Sequence, residues 1–173
     1  MKKINTRKIA VSGVLGALAL VLSALENVLM PSASFLPPGA KPGLSNLVIM
    51  FSASELGVSY TFLLVIIKAV FALITRGMTA FLMSLVGGIL STTVLLILLK
   101  INFKSLTFVG IGVICSCAHN AGQLLVSLLM TGTFAVLGYA PYLLIFSVVT
   151  GFITGTIVKI VLPKTKNILK FIE

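Results

Sequence analysis

Three polar residues, His119, Asn120 and Gln123, lie within an apolar run long enough to cross a lipid bilayer. On a helix, His119 and Gln123 are four residues apart and share one face, and Asn120, about 100° further round, also reaches that side. Polar groups inside a membrane are costly unless they find partners, and by default they mark a functional site. We therefore predict that the three side chains contact a ligand; the alternative is that they form hydrogen bonds between helices.

Three cationic residues point to an anionic ligand. Lys68 lies within another apolar segment, Arg76 follows about two turns later, and Lys41 lies in a loop rich in proline and glycine. If the apolar segments are helices, the three cations converge on one half of the protein, where Glu26 could pair with one of them. We predict a cationic pocket with Glu26 at its edge; the alternative is that the long side chains extend to the lipid headgroups.

Asn46 directly follows the loop rich in proline and glycine, which spans residues 31–43. With Ser45 it could cap the next helix. Alternatively it contacts a ligand beside the helix N-terminus, where the partial positive charge favours anions. The loop is therefore a candidate gate above the predicted ligand site.

The sequence does not support metal binding or catalysis. The chain has no Asp and only three acidic residues, so an aspartate-rich magnesium site cannot form. Cys115 and His119 share a helix face, but Cys117 points away from it, and a zinc site needs three or four converging ligands. Soluble nucleotide-binding motifs are also absent. We predict no metal, no cofactor and no enzymatic activity.

The composition indicates an integral membrane protein. Hydrophobic residues make up 58% of the 173 residues, charged residues 9%, and the mean hydropathy is +1.21. No soluble domain of this size could bury so much apolar surface. The net charge of +10 could suggest nucleic acid, but the basic residues lie at the ends of apolar segments, as orientation signals do. We predict the lipid bilayer, not nucleic acid, as a partner.

The apolar pattern predicts an all-α integral membrane protein with one transmembrane domain, residues 1–173, and six transmembrane helices. The second helix is short and could cross only in part. Lys and Arg in short loops favour an orientation with the N-terminus inside. An even number of crossings then places both termini in the cytoplasm of a multi-pass protein of the cell membrane. The predicted helices span about 9–30, 44–56, 59–75, 79–99, 106–130 and 139–162.

The first predicted helix carries small residues at four-residue steps. Ser12 and Gly16 form one pair, and Gly13 and Ala17 form the other. Small residues allow helices to approach closely in a membrane. The ridge therefore serves either internal packing or docking to a partner subunit.

The chain resembles the membrane proteins named heptaprenyl diphosphate synthase component I, also called the Gx transporter family. The resemblance covers nearly the whole chain and rests on the proline- and glycine-rich loop, Lys41-Pro-Gly-Leu-Ser-Asn46, Leu85-Val-Gly-Gly88 followed by Ile89-Leu-Ser91, and Ala118-His-Asn-Ala-Gly-Gln123.

The size, helix number and basic ends also resemble the substrate-binding S components of energy-coupling factor vitamin transporters. That resemblance implies a ligand site in the outer half of the bundle. It also implies docking through the first helix to a transmembrane coupling subunit that cytoplasmic ATPases drive. The Ala-x3-Ala docking motif of those proteins is missing here, and the two small-residue pairs are the nearest substitutes.

Together these features predict a substrate-binding membrane subunit for ATP-driven uptake of a small molecule. The molecule would be anionic or polar-headed, such as a vitamin or a quinone precursor. The alternative is a non-catalytic accessory membrane subunit of isoprenoid or quinone biosynthesis, or of a membrane redox complex.

Overall fold

The computed structural model describes residues 6–29, 41, 43–101 and 107–170, with side chains up to residue 165. Within these ranges every regular element is a helix and there is no strand. The elements in chain order are α1 Thr6–Leu29, α2 Asn46–Glu55, α3 Val58–Arg76, α4 Met78–Ile101, α5 Phe108–Thr131, a 3-10 helix Phe134–Tyr139 and α6 Ala140–Lys170.

Five of the described helices, α1 and α3–α6, are long and apolar enough to cross a membrane. The prediction of six spanning helices is therefore wrong for residues 44–56. With ten residues, α2 extends about 15 Å, half of the ~30 Å hydrocarbon core. It ends early because Gly57, with φ of 93°, reverses the chain, and the loop rich in proline cannot extend the helix at its start.

The short helix α2 runs antiparallel to α3 and lies in the middle of the bundle. Asn46 at its start is bonded to Lys68 halfway along α3, and Ser52 near its end is bonded to Thr61 near the start of α3. It contacts α1, α3, α4 and α6. The residues just before it, 43–45, therefore lie deep among the helices, level with Lys68. We call residues 41 and 43–45 the entry segment.

Glycines allow α5 to pack closely against both of its neighbours. Gly122 faces Gly87 of α4, and a Cβ at Gly122 would lie only 2.7 Å from the Gly87 Cα. Gly112 faces Gly151 and Gly155 of α6 at similarly close range. Because no side chain separates these backbones, polar groups on α5 come within hydrogen-bonding reach of α4, α6 and the entry segment.

The small-residue ridge of α1 divides between two faces of the helix. Ser12 and Gly16 are buried, and a Cβ at Gly16 would meet a Leu64 methyl group at 3.4 Å. Gly13 and Ala17 are exposed, and nothing lies within 4 Å of a Cβ at Gly13. Gly16 thus packs against α3, and the Ser12 hydroxyl donates to the Ile9 carbonyl oxygen of its own helix. This leaves Gly13 and Ala17 as the outward pair.

Candidate ligand-binding site

A small polar cavity lies among α1, α3, α4, α5 and the entry segment. Its volume of about 10 Å³ leaves room for roughly one water molecule. Its lining contains most of the side chains that the sequence predicts as ligand contacts: Glu26, Lys41, Lys68, Arg76, His119 and Gln123. Segments that are far apart in the sequence therefore converge at one place, surrounded by apolar helices.

The ammonium group of Lys41 is bonded to α1. Lys41 Nζ donates hydrogen bonds of 2.7 Å to both the carbonyl and the hydroxyl oxygen of Ser23, and it lies 3.8 Å from Glu26 Oε2. The other oxygen of Glu26 accepts a hydrogen bond from the Leu44 backbone N–H. Glu26 therefore holds the entry segment at two points.

Burial and the Arg76 charge lower the pKa of Lys41 to about 7, and the Glu26 carboxylate opposes this shift only in part. Lys41 lies in the loop, outside the membrane-spanning helices. Near neutral pH its charge therefore depends on small changes in its surroundings, such as the arrival of an anion.

Gln123 fastens the entry segment to α5. Its Oε1 accepts a hydrogen bond of 3.0 Å from the Lys41 backbone N–H, and its Nε2 donates one of 3.2 Å to the Lys41 carbonyl oxygen. The two residues are 82 positions apart in the chain. The Gln123 amide thus replaces the partners that the loop backbone would otherwise need from secondary structure.

Lys68 lies deepest of the cations and is only 5% exposed. It donates a hydrogen bond of 2.6 Å to Asn46 Oδ1, which is a neutral acceptor. The Asn46 Nδ2 and the Ser45 hydroxyl are buried and have no hydrogen-bond partner among the described residues. Ser45 makes no side-chain capping bond to α2 and lines the cavity, whereas Asn46 is connected to it through its bond to Lys68.

The imidazole of His119 fits between two glycines. A Cβ at Gly87 would lie 3.0 Å from His119 Nδ1, and one at Gly43 would lie 3.2 Å from its Cδ2. Gly43 also has φ of 88°, a conformation that other residues rarely adopt. His119 Nδ1 is buried against Gly87 of α4 and makes no hydrogen bond of ordinary geometry in the described part of the chain.

Asn120 faces α6 and does not line the cavity. Its Nδ2 donates hydrogen bonds of 3.2 Å to the Leu143 carbonyl oxygen and 2.8 Å to the Ser147 hydroxyl. This arrangement agrees with the alternative of a hydrogen bond between helices. The neighbouring residues His119 and Asn120 thus contact different partners, because 100° of helix rotation turns one towards α4 and the other towards α6.

Three serines of the lining were not predicted from the sequence: Ser23, Ser45 and Ser84. Serine is frequent in membrane helices, so its presence alone carries little information. For Ser23 a signal did exist, since it lies three residues before Glu26 and therefore on the same face of α1.

The charges of the lining are unbalanced. It contains the cationic side chains of Lys41, Lys68 and Arg76, but Glu26 is its only carboxylate in the described residues. The same ranges contain no group of three or more His, Cys, Asp or Glu side chains that could hold a metal ion. The chemistry of the site is therefore that of donors and positive charges.

The fold and the cavity define a multi-pass helical membrane protein with a buried cationic site. The family model of heptaprenyl diphosphate synthase component I matches residues 15–161. The chain belongs to this family, and the resemblance drawn from its motifs is confirmed. No curated protein and no solved structure gave a significant match.

Proposed function

We propose that this protein is the substrate-binding membrane subunit of an uptake system for a small anionic or polar-headed molecule, and that it is not itself an enzyme. The observation that supports this most directly is the excess of cations around the cavity, where Lys41 and Lys68 are buried and Arg76 is half-buried. Burying an uncompensated charge costs several kcal/mol, whereas packing alone is satisfied by apolar residues. An anion that binds between Lys68, Lys41 and Arg76 compensates these charges.

Energy for uptake comes, in this proposal, from cytoplasmic ATPases acting through a transmembrane coupling subunit, as in the S components that the chain resembles. The protein lies in the cell membrane with both termini in the cytoplasm. The basic residues at the chain ends support this orientation. In it, α2, which pairs antiparallel with α3, returns the chain towards the cytoplasmic side without being long enough to span the membrane itself.

The gate is the loop of residues 31–43 together with the entry segment; residues 31–40 and 42 of this loop lie outside the described residues. The cavity is too small for a metabolite while the segment is in place. The carbonyl groups of residues 43–45 accept backbone hydrogen bonds from the first turn of α2. Towards α5 and α1 the segment is held by the side chains of Gln123 and Glu26. These contacts can be exchanged for contacts with a ligand.

Native mass spectrometry of the purified protein, combined with metabolite extraction, tests the proposal. We expect a stoichiometric small ligand that is lost in Lys68→Ala and retained in Lys100→Ala, because Lys100 is an exposed lysine at the end of α4. A wild-type protein that purifies without a ligand, and whose stability no added metabolite extract changes, would refute ligand capture.

Docking to the coupling subunit is expected to use the outward pair on α1. Gly13→Leu and Ala17→Leu place bulky side chains on an exposed face, so they leave folding intact and disrupt co-purification with ATPase and coupling subunits. Arg7→Gln, at the start of the same helix, is the matched surface change. Full co-purification of both leucine variants would exclude this face of α1 from docking.

The name of the family favours a second candidate, an accessory membrane subunit of isoprenoid or quinone biosynthesis. In that case the polar residues hold the bundle together, and the protein co-purifies with a soluble synthase subunit instead of ATPases. Affinity purification from native membranes separates the two candidates, since the partners differ in size and in nucleotide binding.

A further inference from the structure

We propose that the cavity binds a compact group with two negative charges on oxygen atoms, as in a phosphate monoester. This inference rests on the proposed function, which requires an anionic or polar ligand, and it adds the charge and the chemical class of the ligand's head.

The first support is the charge of the lining, in which Lys41, Lys68 and Arg76 stand against Glu26. The other acidic residues of the chain are Glu55 and Glu173. Glu55 ends α2, about 13 Å along the helix axis from Asn46, the residue that is bonded to Lys68. Lys41 and Lys68 are buried and Arg76 is half-buried. A singly charged ligand leaves the lining with one positive charge in excess, and a doubly charged one brings it to neutrality.

The second support is the set of donors that converge on the same place. Lys68 has three N–H donors and is bonded to one neutral oxygen. The Asn46 amide and the Ser45 hydroxyl are buried without partners among the described residues. An oxyanion with several oxygens can accept from all of them at once, and charge-assisted hydrogen bonds of this kind are the strong ones.

The third support is that a movement of the entry segment can enlarge the cavity for the head group. The cavity holds roughly one water molecule, so the head group needs the entry segment to withdraw. When it does, the Lys41 ammonium leaves Ser23 and becomes available to the ligand. The negative charge of the ligand then adds to that of Glu26 beside Lys41, as the charge count of the lining requires.

Two tetrahedral anions of similar size test the charge directly: sulfate, which is doubly charged, and methanesulfonate, which is singly charged. Radiolabelled sulfate is bound to the detergent-purified protein at about pH 6, where Lys41 is protonated, and is displaced by either unlabelled anion at constant ionic strength. We expect methanesulfonate to bind at least about tenfold more weakly than sulfate, because it leaves the lining with one positive charge in excess.

The variants locate the effect in the cavity. Lys68→Gln removes one positive charge and should lower the affinity for sulfate at least about tenfold. The ratio of the affinities for sulfate and methanesulfonate should fall below about threefold. Lys100→Gln is the same change at an exposed site and should leave both values unchanged. If Lys68→Gln does not fold, Glu26→Gln provides the test: it still accepts from the Leu44 N–H but raises the net positive charge, so sulfate binds more tightly.

Equal affinity for the two anions, or no displacement by either, overturns the assignment of a doubly charged head group. So does an effect of Lys100→Gln as large as that of Lys68→Gln. If neither anion binds but native mass spectrometry shows a bound small molecule that depends on Lys68, ligand capture stands and only the assigned charge of the head group is wrong. The mass of that molecule also distinguishes a soluble phosphate ester from a phospholipid.

Discussion

Replacement of Gly122 by alanine tests how closely α4 and α5 pack beside the ligand site. A Cβ at this position would lie 2.7 Å from Gly87 Cα, 3.0 Å from Gly87 N and 3.2 Å from the Val86 carbonyl carbon. All three are backbone atoms, so no side-chain rotation relieves the overlap. To restore ordinary contact near 3.4 Å, the helices must separate by roughly 0.7 Å, and a gap of that size loses a quarter to a half of the dispersion attraction along the contact.

Overpacking of this kind costs about 1–3 kcal/mol, and the higher helix propensity of alanine returns up to about 1 kcal/mol. We therefore expect Gly122→Ala to lower the free energy of unfolding by about 1–2 kcal/mol. The matched control is Gly13→Ala on α1, because it adds the same methyl group where no atom lies within 4 Å. That variant should be as stable as the wild type or slightly more stable.

The assay is reversible unfolding in mixed micelles, monitored by circular dichroism as the concentration of the denaturing detergent increases. Because His119 and Gln123 flank Gly122 on α5, the same separation moves them away from the entry segment, and anion affinity should fall together with stability. A Gly122→Ala protein that is as stable as Gly13→Ala would refute the close contact between α4 and α5 and the reasoning built on it.

Three more predictions concern single side chains. Burial lowers the pKa of Lys41 from 10.5 to about 7. Between pH 7 and 10.5 the unfolded chain therefore binds more protons than the folded protein, and the free energy of unfolding should rise with pH. A thermal-unfolding series that shows no such rise, or a rise that Lys41→Met leaves unchanged, contradicts this. Gln123→Leu removes both hydrogen bonds to the Lys41 backbone and should speed hydrogen exchange at the Leu44 amide. Unchanged exchange would show that the contacts with Ser23 and Glu26 of α1 are sufficient to hold the segment. Asn120→Ala should cost about 1 kcal/mol of stability and leave anion affinity within about twofold, and a much larger loss of affinity would place Asn120 in the ligand site.

Much of the candidate site follows from the cost of polar groups among apolar residues. His119, Gln123 and Lys68 stand out in the sequence because each interrupts a long apolar run, and all three line the cavity. Asn120 satisfies the same criterion but is bonded to α6. Periodicity gives the face of a helix on which a residue lies, but it does not identify the helix packed against that face.

The error in the number of spanning helices has a similar origin. Residues 44–56 are apolar enough to suggest a crossing, but Gly57 and the loop rich in proline limit the helix to ten residues. A short apolar helix in the centre of a bundle has the same composition as a membrane span, because both are surrounded by apolar groups. Only its length and its contacts with α1, α3, α4 and α6 distinguish them.

By itself, the sequence determined the properties that depend on composition and local pattern. These are the all-helical membrane architecture, the family, and the excess of cations over carboxylates. Tertiary structure alone decided that Gln123 binds the backbone of Lys41 and that Lys68 donates to Asn46. It also decided that one pair of small residues on α1 is buried and the other exposed. These arrangements depend on the rotation and depth of each helix, and close packing of backbones sets both in a way that no local pattern encodes.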